Sequence, residues 1–156
     1  MSKNTLHKTP VIWIMDTSIF TNILDVPGRN QNRKEVLSLF KSRIDTDDSF
    51  LMPYAAIIET GNHIAHLDGN YKYTYANKFI EQLKLAIEGQ APWKPMKFPT
   101  HEDLQRWLDN FPEFCGKGIG FGDYSIIKEW EAQKDLFKGY SVRIWTLDHD
   151  LQGYES

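Results

Sequence analysis

The sequence has a single cysteine, Cys115, so no disulfide forms within the chain and burial of apolar surface has to hold its 156 residues together. It also has no excess of positive charge. Eighteen Lys and Arg stand against 21 Asp and Glu, giving a net charge of −3 and a pI near 5.9. Such a molecule does not draw polyanions to its whole surface as a strongly basic nucleic-acid binder does. A phosphate-bearing substrate has to be held locally, by a small cationic patch or by carboxylates that capture a divalent cation. Long apolar runs are missing as well. The longest near the N-terminus is Val11–Met15, against the ~20 residues of a membrane-spanning helix. No stretch has the apolar core and small-residue cleavage site of a secretion signal. The expectation is a cytoplasmic protein with no membrane contact. Without repeats, low-complexity tracts or linkers, the chain reads as one domain over residues 11–156 behind a loose polar tail, residues 1–10.

What is present alternates between two patterns. Val11–Met15 is a continuous apolar run of β-favouring residues, the mark of a strand covered on both faces. Residues 33–44 place Val36, Leu37, Phe40 and Ile44 at helical spacing. A turn at the acidic residues 45–48 leads to a short buried strand ending at Met52, and Pro53 suits the first turn of a helix carrying Ala55 to Glu59. Tyr71–Ile87 reads as a helix ended by Gly89. Residues 91–100, with Pro92, Pro95 and Pro99, read as an extended loop. Thr100 and Asp103 form a helix-start capping pair before Leu104, Trp107 and Leu108. A glycine-dense loop over residues 116–122 leads into Asp123 and a helix marked by Ile126, Ile127 and Trp130; it lacks the closing Gly-Lys-Ser/Thr of a phosphate-cradling P-loop. A last strand over residues 142–145 precedes Thr146, Asp148 and Asp150. Strands alternating with helices predict a three-layer α/β/α, Rossmann-like domain around a mainly parallel sheet.

In such a sheet ligands bind outside the carboxyl ends of the strands. Asp16 follows the first strand directly and Asp148 lies just past the last; Glu59 sits in the helix after the second strand, and Asp123 opens a helix after the glycine loop. Taken singly, each has a structural explanation. Asp16 and Asp123 suit helix N-caps, Asp148 suits an Asx-turn, and Glu59 suits a solvated helix face. Together on one edge of the sheet, the four would repel one another unless a divalent cation neutralised them. Oxygen ligands without cysteine favour Mg²⁺ or Mn²⁺ over zinc, and the chemistry that suits them is phosphodiester hydrolysis. Zinc bound by Glu59, His63 and His66 is a weaker alternative, because no second element supplies a ligand.

These residues resemble a known pattern. The strand followed by Asp16-Thr17-Ser18, the helical Glu59, the Gly-Asp-Tyr-Ser-Ile-Ile around Asp123 and the Thr146-Leu147-Asp148 after the last strand are similar in order and spacing to the PIN-domain nucleases, across residues 11–151. By size the nearest subgroup is the VapC-type toxin ribonucleases of toxin–antitoxin pairs. The resemblance implies a PIN-like fold in which Asp16, Glu59, Asp123 and Asp148 bind Mg²⁺ or Mn²⁺ and cleave single-stranded RNA. It implies Ser18 and Thr146 as polar supports. Asp150 competes with Asp148 for the fourth position, and Tyr124, where the family commonly has Ala, would narrow the groove.

An RNA strand needs contacts beyond the acids. Arg29, Arg33 and Lys34 lie in the densest basic stretch, and Lys94 and Lys97 alternate with Trp93 and Phe98, so both tracts suit RNA backbone and bases. A solvated helix face and a proline-stiffened loop are the plainer readings. The partners expected are RNA and, on the toxin reading, an antitoxin protein that the tract around Phe98 would receive; a homodimer is left open. A non-catalytic RNA- or protein-binding module and a DNA flap nuclease are the alternative functions.

Overall fold

The computed structural model describes residues 9–154. Of the expected N-terminal tail only Thr9 and Pro10 fall in this range, both exposed; the rest lies outside the described residues. In chain order the elements are β1 (Val11–Met15), α1 (Thr17–Ile23), α2 (Arg33–Asp45), β2 (Ser49–Met52), α3 (Tyr54–Ala65), α4 (Tyr71–Ile87), β3 (Trp93–Pro95), α5 (His101–Leu108), α6 (Phe111–Gly116), α7 (Phe121–Leu136) and β4 (Ser141–Trp145), followed by a 3-10 turn at His149–Leu151.

The four strands form one all-parallel sheet in the order β3-β2-β1-β4. The period of two along β1 sends Val11, Trp13 and Met15 to one face, where they pack with Phe20 of α1, Phe40 of α2 and Ala56 of α3. Ile14 goes to the other face, with Ile126, Ile127 and Trp130 of α7 and Val142 and Ile144 of β4. Helices on both faces make the expected α/β/α sandwich and explain why β1 is apolar without interruption. Full burial of a side chain such as Ile14 stabilises by roughly 1.5–3 kcal/mol, so the central strand is firmly placed.

Two features differ from the sequence expectation. Within the tract expected as a loop, Trp93–Pro95 is β3, paired in parallel with Phe50, Leu51 and Met52. It lies at the sheet edge, where proline's missing N–H costs no ladder bond, and buried Trp93 anchors it. The glycine-dense stretch is shorter than expected, because α6 takes residues up to Gly116 and α7 starts at Phe121. At Asp16 the structure agrees with the sequence: the helix that an N-cap there implies is α1.

The acidic turn before β2 ties the amino ends of the strands together: Asp48 accepts from Val11 N at 2.9 Å and from Trp13 Nε1 at 2.8 Å. At the outer edge of β4, Ile144 N donates to the Tyr154 carbonyl at 3.2 Å, and the Tyr154 ring meets Trp130 edge-on. No helix among the described residues is long and apolar enough to cross a membrane.

Candidate metal centre

The chain moves from β1 through β2 to β3 in one direction and returns to the far side of β1 for β4. The carboxyl ends of β1 and β4 therefore flank the point where the winding reverses, the place where open parallel sheets hold ligands. Asp16 stands there, 3% exposed, as the N-cap of α1. Its Oδ1 accepts from Ser18 N at 3.0 Å and Ser18 Oγ at 2.6 Å, and its Oδ2 from Thr146 Oγ1 at 2.5 Å. Both hydroxyls have a second task. Ser18 Oγ accepts from Leu147 N at 2.9 Å and Thr146 Oγ1 from Asp148 N at 2.8 Å, so the turn after β4 is laced to the start of α1. Burial lifts the Asp16 carboxyl to a pKa of about 6 against the pull of the Ser18 and Thr146 hydrogen bonds, and the charge of Asp148 adds to the rise.

Asp123 lies in the first turn of α7, half-buried, with its pKa raised to about 7. Burial is the largest cause, followed by the charges of Asp148 and Glu59, a hydrogen bond with Asp148, and the charge of Asp16. The negative fields of the other three predicted acids thus meet at Asp123. Asp123, Asp148 and Asp150 each offer a carboxylate oxygen within 4.8 Å of the other two. Asp148 accepts from Asp150 N at 3.0 Å and caps the 3-10 turn, the Asx-turn its sequence position suggested. Glu59, on α3, acts on Asp123 through its charge, and its Oε1 is held by Thr17 Oγ1 at 2.9 Å. A side chain at position 122 would collide with it: a Cβ on Gly122 would lie 2.9 Å from Glu59 Oε2.

Among the described residues, none of these acids forms an ion pair with a basic side chain. The ion pairs among the described residues join Arg33 to Asp25, Arg106 to Asp103 and Lys128 to Glu131. Three oxygen donors that repel one another within 4.8 Å fit a hard divalent cation such as Mg²⁺ or Mn²⁺. Asp123, Asp148 and Asp150 are the residues that would hold it, so Asp150 joins Asp148 rather than displacing it, while Asp16 and Glu59 lie outside that group and act on Asp123 through their charges.

Several expectations change. Asp123 is not an N-cap; Gly120 takes that position and leaves the carboxylate facing the other acids. Tyr124 does not narrow the groove, because it is fully buried and its hydroxyl donates to the Trp107 carbonyl at 2.5 Å. Glu59, His63 and His66 form no three-ligand group among the described residues. His66 Nδ1 instead lies 2.7 Å from the Asn62 carbonyl, and both histidines line a recess with Arg29. Of the basic residues, Arg33 gives its Nη1 to the Asn22 and Ile23 carbonyls at 2.9 and 2.6 Å, fastening the end of α1. Lys94 borders a recess with Pro10 and Asp48 at the amino ends of the strands, away from the acids. Lys34 is exposed on α2. Lys97 follows the carboxyl end of β3, and Arg29 acts electrostatically on His63, which also feels Glu59. Thr17 and Gly122 position Glu59 without having been singled out from the sequence. The signals for them were a hydroxyl beside Asp16 and a glycine immediately before Asp123.

No protein-family model matches the chain, and no curated protein matches its sequence.

Proposed function

We propose that the protein is a Mg²⁺- or Mn²⁺-dependent endoribonuclease of the PIN-like type, acting in the cytoplasm as a toxin or defence effector. The observation that carries this reading is the gathering of Asp123, Asp148 and Asp150, whose oxygens lie within 4.8 Å of one another, with Asp123 raised to about 7 by burial first and then by the charges of Asp148, Glu59 and Asp16, and with no ion pair to any of them among the described residues. The resemblance of the four acid motifs to PIN-domain nucleases supports RNA as the substrate and an antitoxin as a partner.

Bound at these oxygens, the cation would lower the pKa of a water molecule and offset charge on the phosphate and the departing oxygen. The chain's own residues supply geometry. Ser18 and Thr146 fix both oxygens of Asp16, and Thr17 fixes Glu59, so the acids are held before substrate arrives. Asp123 and Asp148 share a hydrogen bond that requires a proton, and that proton would have to leave for both to serve as cation ligands. In the hydrolysis, the water oxygen bonds to phosphorus as the bond to the departing sugar oxygen breaks. The water's proton ends on that sugar oxygen, and one phosphate-ended and one hydroxyl-ended fragment result.

The test is Asp16→Asn, assayed on RNA, single-stranded DNA and flap DNA side by side with Mn²⁺. The expected result is RNA cleavage by the wild type that the variant loses while keeping its circular dichroism spectrum. Undiminished cleavage in the variant removes Asp16 from the chemistry, and cleavage of DNA alone moves the substrate class. Absence of cleavage together with no rise in melting midpoint on adding Mn²⁺ leaves a non-catalytic binding module.

A further inference from the structure

Beside Glu59 the chain forms a recess of about 480 Å³, walled by Tyr54, Ile58, Phe98, Leu104, Trp107 and Phe121, with Glu59 and Gly122 also in its lining. Its volume is that of a single small-ligand site. Phe98 is 62% exposed and rests against the Tyr54 ring, and Ile58 is 51% exposed. Large apolar side chains left open to water beside a carboxylate cluster call for an occupant that is flat and apolar at one end and anionic at the other. A nucleotide has that shape: its base stacks on aromatic rings while its phosphate would meet the cation that the neighbouring carboxylates would hold.

We propose that this recess is a nucleobase pocket, holding one unpaired base of the RNA strand next to the cleaved phosphate. The proposal rests on the nuclease reading above. Polar groups at the recess are few and mostly committed. Thr100 is engaged in the capping box of α5, and Ser125 Oγ donates to the Gly122 carbonyl at 2.6 Å. The pocket therefore holds a base by its face more than by its edge, which gives weak sequence preference and strict need for an unpaired base. A base inside a duplex has both faces covered by its neighbours and does not enter.

The test gives the protein with Mn²⁺ a short single-stranded RNA, and a set in which one nucleotide at a time is abasic. At one position beside the cut, loss of the base lowers kcat/KM by roughly 5- to 100-fold, the range of base–aromatic stacking. Phe98→Ala causes a similar loss on the intact strand and little further loss on that abasic strand, and Phe98→Trp restores activity. The proposal is overturned if no abasic position matters, or if Phe98→Ala loses equally on both strands. Full activity in Phe98→Ala also overturns it and leaves the recess to a protein partner. If the wild type cleaves no strand, the nuclease reading fails and a 2-aminopurine-labelled strand with Mn²⁺ decides for the pocket. Fluorescence quenching that Phe98→Ala abolishes supports it; no quenching overturns it.

Discussion

Thr146 Oγ1 donates to Asp16 Oδ2 at 2.5 Å although 130 positions separate the two residues. The same oxygen accepts from Asp148 N, so one hydroxyl fixes the first acid and the turn that carries the fourth. In Thr146→Val both bonds are lost while shape is kept. The expected cost is about 2 kcal/mol at pH 8, the usual size for a hydrogen bond to a charged group. It is smaller at pH 5, where Asp16 is largely protonated. Urea denaturation of the metal-free protein at the two pH values checks this.

Asp16 and Asp123 titrate near 6 and 7 instead of 3.8. A carboxyl whose folded pKa lies above its unfolded one favours the fold in its protonated form. The stability it contributes is complete below about 3.8 and is lost as pH rises through 6 to 7. For these two groups the metal-free melting midpoint falls between pH 5 and pH 8, and Asp16→Asn and Asp123→Asn flatten that fall. Because cations and protons compete for the same oxygens, Mn²⁺ raises the midpoint more at pH 8 than at pH 5. Calorimetric scans across this range, with and without Mn²⁺, read both effects.

Gly122 leaves space for Glu59, and an added Cβ would come within 2.9 Å of its Oε2. The neighbour is the free end of a side chain, so Gly122→Ala displaces the carboxylate and leaves the backbone in place. Metal affinity or activity falls by about 10- to 100-fold, the range typical of residues that orient a ligand. The urea midpoint stays close to that of the wild type. Mn²⁺ titration by calorimetry separates these two readouts.

Arg29 is exposed and acts on His63, one helical turn beyond Glu59. If it meets an RNA phosphate, Arg29→Ala raises KM with kcat little changed, and the slope of log affinity against log salt falls by about one. Arg33→Ala behaves differently: its guanidinium is bound to the end of α1, so the loss appears as reduced stability. Binding measured over a salt series distinguishes the two.

The architecture was legible because burial on both faces leaves a plain imprint: β1 carries no polar residue, and Ile126, Ile127 and Trp130 recur at helical spacing. Asp16 and Asp148 could be placed from topology alone, since each follows a strand at its carboxyl end. β3 was hidden because its pairing partner, β2, lies some 40 positions earlier, and Pro95 within it and Pro92 just before it argue locally for a loop. The roles of Thr17 and Gly122 were hidden for a similar reason. Each acts on a carboxylate supplied by another helix, and no local pattern announces such a contact.

The stretch that carries Thr146, Asp148 and Asp150 goes on to lay the Tyr154 carbonyl along the outer edge of β4. One short piece of chain thus carries the candidate cation ligands and also covers a strand N–H that would otherwise be open to another molecule's backbone. Proteolytic nicking of that piece is therefore expected to uncover the edge of β4 and disturb the acid cluster in a single event, so nicked protein aggregates more readily than intact protein.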